Sequence, residues 1–155
     1  MGGFCVTPKE MERVVTVETL QHLVREVLTL VPKEGKKAAI VALRGELGAG
    51  KTTFMQALAR ELGILEPVQS PTYVLMKSYP ISFERFTTLV HIDAYRLENP
   101  EEFAALNPSI FLDDPRALVC IEWPERLGNT LPQPDITLEF SGDGLPPGER
   151  QVKVL

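Results

Sequence analysis

The chain has 155 residues, two cysteines, a formal net charge of −5 and 44% hydrophobic residues. That is about one domain, residues 1–155, with material for a single sizeable core. The acidic balance argues against broad binding to bare nucleic acid but leaves an indirect role in RNA chemistry open. Cys5, near a terminus, reads as exposed, and Cys120, inside the apolar run "ALVCI", reads as a buried, inert thiol. Two such distant cysteines make neither a disulfide framework nor a metal site. No apolar run approaches the roughly 18 residues that span a bilayer. The start "MGGFCVT" lacks the basic and apolar regions of a signal peptide, and Val6 spoils a myristoylation signal. The expectation is a cytoplasmic protein.

In chain order, "VETLQHLVREVLTLV" (17–31) places Leu20, Leu23, Val24, Val27, Leu28 and Val31 on one face of a predicted amphipathic helix. Thr16 serves as its expected N-cap, and Glu18 suits the first turn. A polar turn (32–37) leads into "AAIVALR" (38–44), a continuous apolar run that reads as a strand buried on both faces. A helix is predicted over 51–63, stopped by Gly63. Residues 73–79 and 86–92 read as strands joined by "PISFER" as a loop or turn. A short helix over 99–106 begins with Pro100 at its first position, and 117–123 is another apolar strand. Residues 135–140 and 150–155 alternate apolar and polar side chains and read as an antiparallel hairpin. Strands interleaved with helices predict an α/β domain with a mixed parallel and antiparallel sheet.

The chemistry concentrates after the first apolar strand. Gly45, Glu46, Leu47, Gly48, Ala49, Gly50, Lys51 and Thr52 fit G-x-x-x-x-G-K-[ST] at every fixed position, between a predicted strand and a predicted helix. Glycines let the backbone curl so that successive N–H groups form an anion nest, and the helix N-terminus adds positive potential. Lys51 is expected to reach the β- and γ-phosphates, Thr52 to coordinate Mg²⁺, and Thr53 to add a hydrogen bond to phosphate. Such a loop needs a carboxylate for the metal shell at the end of a neighbouring strand. Asp93, ending "TTLVHID", and Glu122, ending "ALVCIE", both qualify, and spacing does not choose between them. His91, alternating with Asp93, reads on its own as a structural histidine and Tyr95 as a packing residue. Trp123 reads as core or as a wall of the site. "SPTY" (70–73) reads either as an ordinary loop or as a nucleotide-sensing loop in which Ser70 or Thr72 contacts the γ-phosphate or metal.

Neither the N-K-x-D of guanine recognition nor a D-x-x-G follows the loop, which favours ATP. Two rival classes stay open: a small-molecule kinase, although Arg85, Arg96, Arg116 and Arg126 are scattered rather than gathered in a lid, and a nucleotide-gated binding module.

Four segments together, "LRGELGAGKTTFMQALARELG", "VQSPTYVL", "HIDAYRLENPEE" and "IEWPERLGNTLP", resemble the TsaE (YjeE) family in order and spacing, from about Glu18 to Ile136. The resemblance implies a P-loop NTPase-like three-layer domain. It also implies an ATPase component of bacterial tRNA N6-threonylcarbamoyladenosine (t6A) synthesis. Its partners would be TsaD and TsaB, with ATP hydrolysis supporting repeated turnover of that complex and tRNA engaged indirectly. By motif match, Lys51 and Thr52 would be phosphate and Mg²⁺ residues, and Glu122 the metal-associated carboxylate. Asp93 would be a catalytic or water-positioning carboxylate, Trp123 a neighbouring site residue, and Thr72 part of a switch-like loop. Beside such a nucleotide site, His91, Tyr95 and Arg96 read instead as site-supporting or partner-facing residues. The chain departs from the family in "AALNPSIFLDD", where a glycine is common; Asn107 there can adopt left-handed angles. Tyr73 replaces the family's usual Phe.

Overall fold

A computed structural model describes residues 11–46, 48–69 and 75–155. Cys5, Val6, Leu47, Ser70, Thr72 and Tyr73 lie outside the described residues. Seven strands, β1 (Met11–Val15), β2 (Ala39–Arg44), β3 (Met76–Phe83), β4 (Phe86–Asp93), β5 (Ala117–Glu122), β6 (Ile136–Ser141) and β7 (Arg150–Val154), form one sheet in the order β1-β7-β6-β2-β5-β4-β3. The central pairs β6/β2, β2/β5 and β5/β4 are parallel. The outer pairs β1/β7, β7/β6 and β4/β3 are antiparallel. The sheet is therefore mixed, as expected.

The continuous apolar runs are explained by helices on both faces. On one face, Ala39, Val41 and Leu43 of β2 and Leu118 and Cys120 of β5 pack under α1 (Leu20–Leu30) and α2 (Lys51–Glu61). On the other, Ile40, Val119 and Ile121 meet Phe103 of α3 (Pro100–Ala104), Phe111 and Leu112 of α4 (Ser109–Leu112), and Leu127 of a 3₁₀ segment (Pro124–Thr130). This makes three layers with the sheet in the middle. The stripe Leu20, Leu23, Val24, Val27 and Leu28 is fully used; each such side chain contributes about 1.5–3 kcal/mol of burial before conformational entropy is subtracted. Across the two helices, Gln21 Nε2 donates to Ala57 O (3.1 Å) and to Glu61 Oε2 (2.7 Å), and Arg25 Nε to Glu61 Oε1 (3.0 Å).

Several expectations need correction. Helix α1 starts at Leu20 with Thr19 as its N-cap, not Thr16. Thr16 and Thr19 instead bond each other, Thr16 N to Thr19 Oγ1 (2.8 Å) and Thr19 N to Thr16 Oγ1 (3.3 Å), closing a turn ahead of the helix. Strand β1 was not expected; only Val15 of its five residues is buried, and the antiparallel ladder to β7 supplies the rest. "PISFER" is not a loop: β3 runs on to Phe83 with a register shift between Pro80 and Phe83. Pro80 is tolerated because β3 is an edge strand, where a missing N–H costs no ladder bond. Strand β5 stops at Glu122, because Trp123 turns to left-handed angles (φ 60, ψ 51). Asn107 does take a positive φ of 53, as expected for a residue standing where glycine is common. Asn99 caps α3 by accepting from Glu102 N (3.3 Å), with Pro100 at the start. Arg85, one of the scattered arginines, ties the β3–β4 turn to the chain below it. Its guanidinium donates to Pro32 O (3.3 Å), Lys37 O (2.9 Å) and Pro115 O.

Candidate functional site

The site forms where β2, β4 and β5 end side by side. In parallel sheets that edge, beyond the carboxyl ends of the strands, is where ligands bind. After β2 the chain curls through Gly45–Gly50 and enters α2 at Lys51. Gly45 has φ 147, and a Cβ there would stand 2.7 Å from Phe140 O and 3.2 Å from Ala49 Cβ. Only glycine lets the loop press this closely on β6. Gly50, the N-cap of α2, is left-handed at φ 110. The result is a backbone cradle at the positive end of an eleven-residue helix.

Lys51 is 5% exposed. Its ammonium donates to Gly45 O and Glu46 O (3.3 Å) and lies 3.9 Å from the centre of the Trp123 ring. Burial pulls its pKa below the ordinary lysine value, against the opposing pull of Glu122, Glu125, Asp93 and Glu46. Parked on its own loop's carbonyls, this cation sits where an incoming phosphate would meet it.

The two strand-end carboxylates are neighbours. In the β4/β5 register Asp93 pairs with Glu122 and His91 with Cys120. Glu122 divides its oxygens: Oε1 is 3.5 Å from Thr52 Oγ1, and Oε2 is 2.7 Å from His91 Nε2. Asp93 Oδ1 accepts from Tyr95 N (3.0 Å). The Tyr95 ring lies tilted against Trp123, 5.2 Å between centres, which gives "HIDAYRL" and "IEW" a common wall. Lys51, His91, Asp93 and Glu122 are the four buried polar or charged side chains among the described residues, and all four converge here. Such concentration of costly buried charge marks functional sites. A cleft of about 350 Å³ is lined by Gly48–Thr53, Asp93, Tyr95, Glu122 and Trp123.

The expected residues Gly45, Glu46, Gly48, Ala49, Gly50, Lys51, Thr52, Thr53, Asp93, Glu122 and Trp123 are thus gathered at the loop and its cleft. Leu47 and Thr72 lie outside the described residues. Of the two roles the sequence left open for Tyr95, packing or site support, its place in the cleft wall favours the second. Sequence reasoning missed a smaller cavity, about 140 Å³, on the far side of the loop. There Val15, Leu20, Phe140 and Arg150 meet Gly48, Gly50 and Thr53, and Arg150 donates to Gly48 O (3.4 Å). The alternation in 150–155 marked a strand, and nothing local to it points at a loop a hundred residues earlier.

A family profile described as "Threonylcarbamoyl adenosine biosynthesis protein TsaE" matches residues 14–152. The chain belongs to the TsaE family. TsaE proteins take part in the biosynthesis of threonylcarbamoyladenosine in tRNA. Among TsaE relatives, the protein from Treponema pallidum is 35% identical over 126 residues, covering 81% of this chain and 88% of its own. That from Nostoc is 42% identical over 92 residues, covering 57% of this chain. The matched stretch spans 54%, about half, of the Nostoc relative's length. The crystal structure of Bacillus subtilis YdiB superposes with a TM-score of 0.65 at 25% identity, over 94% of this chain and 84% of that one. The fold is accordingly P-loop NTPase-like. Among the described residues no helix is long and apolar enough to cross a membrane.

The donor set of this TsaE-family chain suits Mg²⁺. Among the described residues no three His, Cys, Asp or Glu side chains form a metal cage. Mg²⁺ does not ask for one: it takes one or two protein oxygens and completes its octahedral shell with phosphate and water. The Thr52 hydroxyl and Glu122 carboxylate are hard oxygens 3.5 Å apart at the mouth of the cradle. Adjacent ligands of an octahedral Mg²⁺ stand roughly 3 Å apart.

Proposed function

We propose that the chain is a Mg²⁺-dependent ATPase of the cytoplasm that supports repeated turnover of a TsaB–TsaD complex in forming t6A at position 37 of tRNA. What carries the reading is the convergence of Lys51, Asp93 and Glu122, all buried, on one glycine cradle at the carboxyl ends of the parallel central strands. The N–H groups of Gly48–Thr53 would hold the phosphate chain. Lys51 would exchange the carbonyls of Gly45 and Glu46 for phosphate oxygens, a stronger, charge-assisted contact. Thr52 and Glu122 would hold Mg²⁺, which when bound neutralises charge on the phosphate oxygens. Asp93, its Oδ1 braced by Tyr95 N, would orient the attacking water. The cavity beside Val15, Leu20 and Phe140, open to the loop at Gly48, Gly50 and Thr53, would take part of the nucleoside.

None of the cleft's lining side chains among the described residues is an arginine. An arginine finger is worth about 10³–10⁵ in rate and can come from a partner. Hydrolysis should therefore be slow in the isolated chain and faster in the complex. The test is steady-state release of ADP and inorganic phosphate, with and without TsaB–TsaD. Lys51→Ala should weaken MgATP binding about 10–100-fold, the worth of a charged hydrogen bond. Phosphate transferred to an acceptor without free phosphate would instead mark a kinase. A full rate in the isolated chain would remove the role of the partner.

A further inference from the structure

Among the described residues, His91 is the one buried charged or polar side chain at this site to which the proposed reaction assigns no task. It is fully buried on β4, two residues before Asp93 and on the same face of the sheet. Its register partner is Cys120, yet its ring reaches diagonally to Glu122, two positions further along β5. The Nε2–Oε2 contact is 2.7 Å, between side chains 0% and 3% exposed. The other ring nitrogen, Nδ1, is buried with no hydrogen-bond partner among the described residues. Proton placement follows. A hydrogen on Nε2 satisfies both His91 and the carboxylate and leaves only a bare acceptor at Nδ1. The opposite tautomer would orphan an N–H and set two lone pairs against each other. Buried orphaned N–H groups are the rarer and costlier kind.

Glu122 therefore has its two oxygens assigned to two neighbours. We propose that His91 is a positioning residue: by donating from Nε2 to Glu122 Oε2 it clamps the carboxylate from inside the sheet, so that Oε1 alone is presented to Thr52 and to the divalent cation of a bound nucleotide. A glutamate has three rotatable side-chain bonds, and one without the clamp is free to swing toward the Lys51 ammonium in the same cleft. Oxygen or nitrogen partners that orient metal-ligating side chains typically matter 10–100-fold in metal affinity. The inference rests on the reading that Thr52 and Glu122 hold the metal, and the experiment separates the two.

The probe is Mn²⁺ with ADP. Free Mn²⁺ is read by electron paramagnetic resonance to give the cation's affinity for the protein–ADP complex. ADP affinity in EDTA is read by calorimetry. His91→Leu keeps apolar volume and removes the donor. His91→Gln keeps an N–H at the reach of Nε2, and His91→Asn has one that falls short by a methylene. The Leu and Asn variants should loosen Mn²⁺ by about 10–100-fold, with the ADP affinity in EDTA unchanged, and Gln should restore most of the loss. Should the Leu variant fail to fold, the Gln and Asn pair carries the comparison. Wild-type Mn²⁺ affinity in Leu or Asn overturns the proposal. So does an equal loss in all three variants accompanied by loss of metal-free ADP binding, which assigns His91 to packing alone. If the wild-type protein binds ADP with no metal dependence, the metal reading itself falls, and the clamp falls with it.

Discussion

Replacing Gly45 with alanine tests how the cradle is held. The new Cβ would stand 2.7 Å from Phe140 O and 3.2 Å from both Ala49 Cβ and Phe140 Cβ. Phe140 cannot easily retreat, because it is paired with Val152 inside the β6/β7 ladder. The backbone also sits at φ 147, and such sparsely populated regions cost about 1–3 kcal/mol for a residue with a side chain. Overpacking adds about 1–3 kcal/mol where neighbours are fixed. Partial relaxation leaves an expected loss of about 2–4 kcal/mol. Gly63→Ala is the control: its φ is 80, but nothing lies within 4 Å of the added atom, so only a backbone cost of about 1–2 kcal/mol applies. Urea unfolding followed by circular dichroism measures both. Gly45→Ala should lower the midpoint clearly more than Gly63→Ala at an unchanged m value, and should weaken ATP binding as the loop is pushed off β6. Equal midpoints for the two variants would refute the claim that contact with β6 holds the loop.

Arg85→Ala should cost about 1–3 kcal/mol, read by the same unfolding assay, because three backbone carbonyls lose their shared donor. It should leave ATP binding unchanged, since Arg85 lies at the opposite end of the strands from the cleft. Cys120 is completely buried, and burial followed by the charge of Glu122 pushes its thiol from 9.0 to about 12. In a Cys5→Ser background, a thiol reagent at pH 8 should therefore label nothing until the protein is unfolded. Because the folded pKa is the higher one, this thiol's contribution to stability is intact below about pH 9 and lost between pH 9 and 12. Rapid labelling of the native protein would contradict its burial.

Local patterns made most of the fold legible. The glycine spacing of 45–50 and the buried run before it locate β2, the cradle and α2, because each depends on residues adjacent in sequence. β1 was invisible because only Val15 among its five residues is buried; its existence depends on β7, 139 residues away in the Glu12–Gln151 contact. Pro80 masked the extension of β3, since whether proline breaks a strand depends on whether the strand lies at an edge. For the same reason the site's members were legible singly and their relations were not. Asp93 and Glu122 both read as strand ends, but only the parallel register makes them neighbours and brings His91 against Glu122. The approach of Arg150 to Gly48 likewise depends on β7 lying two strands from β2.

The central claim is that Asp93 and its neighbours hydrolyse ATP in the service of tRNA modification. The direct measurement is multi-turnover t6A formation in a reconstituted system of TsaB, TsaD, threonylcarbamoyl-AMP synthase and tRNA, with this chain added as wild type or as Asp93→Asn. The wild-type chain should carry modification beyond a single turnover. Asp93→Asn should bind ATP with near wild-type affinity yet stall after the first turnover. Undiminished multi-turnover modification with Asp93→Asn, or without the chain at all, would contradict the account.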